Sequence, residues 1–134
     1  MSWVDALADS QPIVRVYGDG IPSLVGISIH EVRFDRNAST IYLRFDLSSF
    51  PERPPVKWTA AGSNTVQLEL RFSGVRSVKL EGWSSEMFAD LRIERKGPST
   101  VVAWVEPAPH MEIVAESVFV ARIQAYIDST RQRE

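Results

Sequence analysis

Apolar and polar residues alternate strictly along two segments of the chain, at residues 40–48 and 64–72. A β-strand points successive side chains to opposite faces, so this period of two predicts strands with one buried face and one wet face. Such half-buried strands are typical of antiparallel sheets. On the first segment we therefore expect Tyr42, Arg44 and Asp46 to face the solvent.

Weaker patterns extend this sheet along the chain. Residues 24–35 predict a long first strand, and its apolar parity slips at His30 and Glu31, where we expect a β-bulge. The second alternating segment is expected to continue through a three-residue loop into a hairpin that sets Leu70 opposite Val78, because apolar partners then match. Further strands are predicted at residues 76–83, 88–95, 99–106 and 111–116, and a weak alternation also marks residues 13–17.

One short helix is predicted at each end of the chain. Ser2 can cap a helix that runs to about Ala8, because its hydroxyl can accept from a backbone N–H of the first turn. Pro12 prevents that helix from continuing. Ser117 can cap a second helix over about residues 118–129, where apolar side chains recur at helical spacing.

These elements predict a mainly β protein with a small α+β margin. We expect an antiparallel meander of about seven strands, either curved as one sheet or folded into two layers, because the predicted connections are short. The 134 residues suit one domain, since domains cluster near ~100–150 residues. Residues 1–134 are therefore expected to form a single globular domain.

The charge balance and the lack of cysteine limit the possible partners. Fifteen basic and seventeen acidic residues give a net charge of −2, which disfavours nucleic acid as a partner. Without cysteine the chain can form neither disulfides nor thiolate metal sites, which suits a reducing compartment. We see no signal peptide and no run of ~20 apolar residues that would span a bilayer, so we expect a soluble, cytoplasmic protein without a membrane partner.

No residue pattern indicates catalysis, a metal site or a cofactor. His30 and His110 are the two histidines, and neither lies in a ligand motif such as H-E-x-x-H. No G-x-S-x-G nucleophile motif occurs. Carboxylates alternate with arginines along the strands, which favours a solvated ladder of opposite charges over a glycosidase-like acid pair. The pairs are Arg44/Asp46, Glu69/Arg71 and Arg92/Glu94.

The four tryptophans are candidates for the core or for a partner surface. Trp104 lies in an apolar strand and is expected in the core. Trp58 ends an irregular, proline-rich stretch at residues 50–58, which we expect its ring to fix to the core. Trp58 and Trp83 both flank loops, so each is open to two roles: a buried ring, which is the commoner place of tryptophan, or part of a partner surface.

At residues 54–58 the sequence Pro-Pro-Val-Lys-Trp resembles the immunity protein 50 family of bacterial polymorphic toxin systems. The resemblance implies a non-catalytic cytoplasmic protein that binds a cognate toxin domain and protects the cell that produces it. It supplies no toxin-binding residues. Further similarities lie at Tyr17-Gly18, Pro22-Ser23-Leu24, Phe50-Pro51, the strand of residues 66–70, Gly82-Trp83 and Tyr126-Ile127.

We expect this protein to block its toxin by stoichiometric occlusion. Loops on a rigid sheet are a common way to present specificity, so the candidate contact residues flank two loops. An alternative is an interaction module or subunit that binds a partner through an exposed sheet edge. An enzyme or small-ligand binder comes third, and monomer and homodimer are both open. The candidate contact residues are Glu52, Arg53, Trp58, Trp83 and Glu86.

Overall fold

A computed structural model describes residues 2–131 and confirms the mainly β prediction. Eight antiparallel strands form one sheet that does not close, because the strands at its two ends, β4 and β8, are not paired with each other. The elements after an N-terminal 3₁₀ helix at Trp3–Ala6 are α1 (Gln11–Tyr17), β1 (Ile27–Asp35), β2 (Thr40–Asp46), α2 (Val56–Ala61), β3 (Thr65–Ser73), β4 (Ser77–Glu81), β5 (Phe88–Arg95), β6 (Val101–Glu106), β7 (His110–Ala115) and β8 (Ser117–Tyr126).

The order of the strands in the sheet is β4-β7-β6-β5-β1-β2-β3-β8. The sheet has two halves, β4-β7-β6-β5 and β1-β2-β3-β8. They meet where Ile27 and Ser28 of β1 pair with the start of β5. The bulge predicted in β1 is confirmed, since the register against β2 shifts between Ile29 and Glu31. Side chains from both halves form one apolar core, whose largest fully buried members include Phe45, Phe72, Leu43, Leu68, Met111 and Ile113.

A long antiparallel ribbon connects the halves, with β3 and β4 along one side and β8 and β7 along the other. Because of this ribbon, the predicted hairpin after β3 is wrong. The strand β3 continues into β4 and pairs with β8, whereas β4 pairs with β7. Val78 therefore lies opposite Ile113 and not opposite Leu70. Several apolar strands offered equally suitable partners, so matching by hydrophobicity alone chose the wrong one. Gly74 permits the interruption between β3 and β4, because it adopts a positive φ of 65°, which glycine accepts without steric cost.

The predicted C-terminal helix is also wrong, because residues 117–126 form the strand β8 and pair with β3. The register of this pairing shifts opposite Glu69 and Leu70, which skips Ala121. The skipped residue changes the parity of the strand, so that Val120 and Ile123 both lie on the core side. A bulge in a strand thus imitated the spacing of an amphipathic helix.

The N-terminal helix is confirmed, although it is only one turn long. Ser2 caps it in a capping box, in which the Ser2 side chain accepts from the backbone and the Asp5 carboxylate accepts from the Ser2 N–H. The weak alternation at residues 13–17 belongs to α1 and not to a strand, with Pro12 in the first turn of that helix, where its missing N–H costs nothing. Part of the proline-rich stretch is likewise helical, at α2.

Candidate partner-binding surface

Glu52 and Arg53 lie together on the wall of a groove of about 700 Å³. Both side chains are exposed. The opposite wall is the C-terminal half of α1 with the loop that follows it. The Tyr17 hydroxyl joins the two walls by donating to the Ser49 carbonyl over 3.3 Å, and burial raises the pKa of this tyrosine. Two of the five predicted contact residues therefore share one concave surface.

Trp58 lies on α2 and is buried, with 8% of its surface exposed. Its ring is tilted against Phe50, with 6.2 Å between the ring centroids. The prediction that Trp58 fixes the proline-rich stretch to the core is confirmed. Its neighbour Val56 is 85% exposed, so the same short helix also presents an apolar side chain to the solvent. A contact between Trp58 and a partner stays a prediction.

Trp83 and Glu86 lie on a different segment, between β4 and β5. The Trp83 side chain is 52% exposed, and Glu86 is exposed beside it. The segment is held at its end by Met87, which is buried and whose carbonyl accepts from the Ile29 N–H next to the bulge of β1. The five predicted residues thus occupy a groove wall, a buried helix position and a separate loop, and their role in binding stays a prediction.

A buried carboxylate on the outer face of the sheet was missed from the sequence. Asp46 is 3% exposed, so the prediction that it faces the solvent is wrong. Its Oδ1 accepts from the Gln67 amide over 2.9 Å, and its Oδ2 accepts from the Tyr126 hydroxyl and contacts His30 Nε2 at 2.8 Å. Tyr126 reaches Asp46 only because residues 117–126 form a strand, so the wrong helix prediction concealed the site.

This cluster is suited to a structural role. Burial and the hydrogen bond to Asp46 raise the pKa of Tyr126, which keeps its hydroxyl neutral and a poor nucleophile. Gln67 extends the cluster across the sheet, because its Oε1 accepts from Arg44 at 3.3 Å and from Gln124 at 3.0 Å. Each buried polar group therefore has a partner, as a buried polar network requires.

The predicted ladder of charges on the wet face is confirmed around Arg44 and Glu69. Arg44 lies opposite Glu69 across β2 and β3, and it contacts Glu31 at 3.5 Å, while Glu69 contacts Arg33 at 3.7 Å. These side chains are partly exposed, so each pair contributes little to stability.

Trp104 is half-buried on the outer face of β6, so its predicted place in the core is wrong. Its Nε1–H donates to the Glu112 carboxylate over 3.0 Å, and the Arg92 guanidinium lies 4.3 Å from the ring centroid. The strand β6 is apolar on both parities, which is why sequence alone did not separate its two faces. Ala103 and Val105 are the side chains that face the core.

Within residues 2–131 no group of three or more His, Asp or Glu side chains is arranged to hold a metal ion. In the same part of the chain, none of the helices is long and apolar enough to cross a membrane.

Residues 9–126 match the family model described as Immunity protein 50. Searches of curated proteins and of solved structures found no match. The matched range begins before α1 and ends at the last residue of β8, so it includes every strand of the sheet. Because the match covers most of the chain, this protein belongs to the immunity protein 50 family.

Proposed function

We propose that this protein is the immunity component of a bacterial polymorphic toxin system. It acts in the cytoplasm, where it binds a cognate toxin domain and blocks it by stoichiometric occlusion, without catalysing a reaction. The single observation that carries this proposal is the family match over residues 9–126. Proteins of immunity families are generally non-enzymatic.

The fold supports occlusion in a physical sense. A tight inhibitor complex typically buries ~800 Å² on each partner, which one face or one rim of a domain of this size can supply. The sheet shares one apolar core, so its loops are presented from a firm support. Binding to such a preorganised surface loses less conformational entropy than binding to a mobile one.

We propose that the contact surface includes Glu52 and Arg53 on the groove wall and Trp83 and Glu86 on the β4–β5 segment. Trp83 combines a large exposed ring with polar neighbours, which is the composition of many interface hot spots. Trp58 is buried and would contribute indirectly, by holding the proline-rich stretch against the core. The weak net charge predicts only modest electrostatic steering of the toxin.

A second candidate function is an interaction module or subunit that pairs a partner strand with an edge of the sheet. The two ends of the strand order favour it, since β4 and the ten-residue β8 each have one paired neighbour. Both candidates are protein binders, and they differ in whether the partner is a toxin.

Co-expression with the toxin domain encoded by the neighbouring reading frame tests the leading proposal. We expect rescue of growth and co-purification of the two proteins. Trp83→Ala should weaken rescue, whereas Ile127→Ala, an exposed apolar position outside both proposed contact segments, serves as the matched control. Failure of the folded wild-type protein to rescue growth would defeat the proposal.

A further inference from the structure

Within residues 2–131, part of β1 and the whole of β4 each have one edge without a neighbouring strand. The strand β1 pairs with β2 along most of its length, but it pairs with β5 only at Ile27 and Ser28. Within residues 2–131, residues 31–35 therefore use only one of their two edges. The strand β4 likewise pairs with β7 alone.

Residues from the end of β1 and the start of β4 line the same groove, which has a volume of about 530 Å³. One wall contains Phe34–Arg36 at the end of β1, and the other contains Val75–Val78 at the start of β4. The turn between β1 and β2 closes one end, because the Ala38 carbonyl accepts from Gly74 and the Ser39 carbonyl accepts from Val75. We call this groove, with its two walls, the β1–β4 slot.

Phe34 and Val78, which lie on the two walls of the slot, are less covered than their partners in the sheet. Phe34 lies opposite Ile41, which is 3% exposed, yet Phe34 itself is 56% exposed. Val78 is half-buried, although its partner Ile113 is fully buried. The apolar, core-facing side of the sheet therefore continues into the slot, where it is partly exposed to solvent.

We propose that the β1–β4 slot binds an extended segment of a protein partner, which adds to the sheet as a strand and places alternate apolar side chains against Phe34 and Val78. This proposal rests on the proposed function, because the toxin domain would supply the segment.

The chemistry of the walls favours an extended chain over other occupants. Free strand edges present backbone N–H and C=O groups in a row, and an extended backbone can pair with them. A helix satisfies its own backbone groups and would leave those of the edges unpaired. The period of two in a strand also turns every second side chain toward the exposed apolar residues.

A first experiment probes the slot without the toxin. A phage-displayed library of random twelve-residue peptides is selected on the wild-type protein, and the enriched peptides are then measured against two variants. We expect sequences with apolar residues at alternate positions and a loss of affinity of at least ten-fold with Phe34→Ser. Ile127→Ser is the control, because Ile127 is 57% exposed and lies away from the slot. Peptides that bind both variants equally, or a library without enrichment, would overturn the proposal.

A second experiment uses the toxin complex and does not depend on any variant. Amide hydrogen exchange should slow in residues 31–35 and 77–81 when the toxin domain binds. Protection confined to residues 50–58 and 82–87, or to β8, would refute the slot while leaving toxin binding intact. Conversely, peptide binding in the slot without toxin rescue would refute the proposed function and leave the slot intact. Concentration-dependent dimerisation of the wild-type protein that Phe34→Ser abolishes would also overturn the proposal, because a second copy would then occupy the slot.

Discussion

Replacing Asp46 by alanine should destabilise the protein by about 2–4 kcal/mol. Hydrogen bonds to a charged group contribute about 1.5–3 kcal/mol each, and two of them, from the buried Gln67 amide and from the Tyr126 hydroxyl, would be lost. The contact with His30 adds at most about 1 kcal/mol, since 39% of that side chain is exposed. Removing the carboxylate also removes its desolvation cost, which offsets part of the loss.

Urea unfolding followed by tryptophan fluorescence measures this change in the free energy of unfolding. Asp46→Asn should cost less, because its amide oxygen can still accept from Gln67. Glu106→Ala, at the exposed end of β6, is the control and should change stability by less than about 0.5 kcal/mol. A double-mutant cycle with Tyr126→Phe should reveal a coupling of about 1–2 kcal/mol. Additive effects, or an Asp46→Ala variant as stable as the control, would refute the account of a buried network.

Three further predictions follow from individual side chains. Trp58→Ala should cost about 3–5 kcal/mol in urea unfolding, because its ring is buried, and a loss below about 1 kcal/mol would contradict its role in the core. Trp83→Ala should change stability by less than about 0.5 kcal/mol but weaken toxin binding at least ten-fold in a calorimetric titration, and unchanged affinity would remove Trp83 from the interface. Burial raises the pKa of Tyr17 and of Tyr126 in the folded state, so their contribution to stability is complete below pH about 10 and is lost as the pH rises above that value. Near-ultraviolet absorbance should show that Tyr17→Phe and Tyr126→Phe each remove one late tyrosine ionisation, and a titration in which both ionise at the ordinary value would contradict this.

The strands could be predicted where their signal is local. The alternation at residues 40–48 and 64–72 depends only on neighbouring positions, and it led directly to β2 and β3. The C-terminal strand could not be recognised in this way, because the bulge at Ala121 changes its period. Pairing between distant strands, such as β4 with β7, depends on how the whole sheet is assembled. It cannot be recognised from the pattern of residues within either strand.

The same distinction applies to the candidate surface. The role of Trp58 as an anchor could be predicted, because a buried ring is the commoner place of tryptophan, although the sequence also left a partner surface open. The burial of Asp46 could not, because the groups that cover it come from β1, β3 and β8. The β1–β4 slot depends on where two strands stop pairing, which is a property of the assembled sheet.

A calorimetric titration tests the central claim most directly. The purified product of the neighbouring reading frame, which is the proposed toxin, is titrated with the intact protein, and the stoichiometry and Kd are read from one curve. Stoichiometric occlusion predicts a single transition at one molar equivalent, with a Kd of about 1 nM or tighter, as is common for inhibitor complexes. No binding at micromolar concentrations of both proteins would contradict the account.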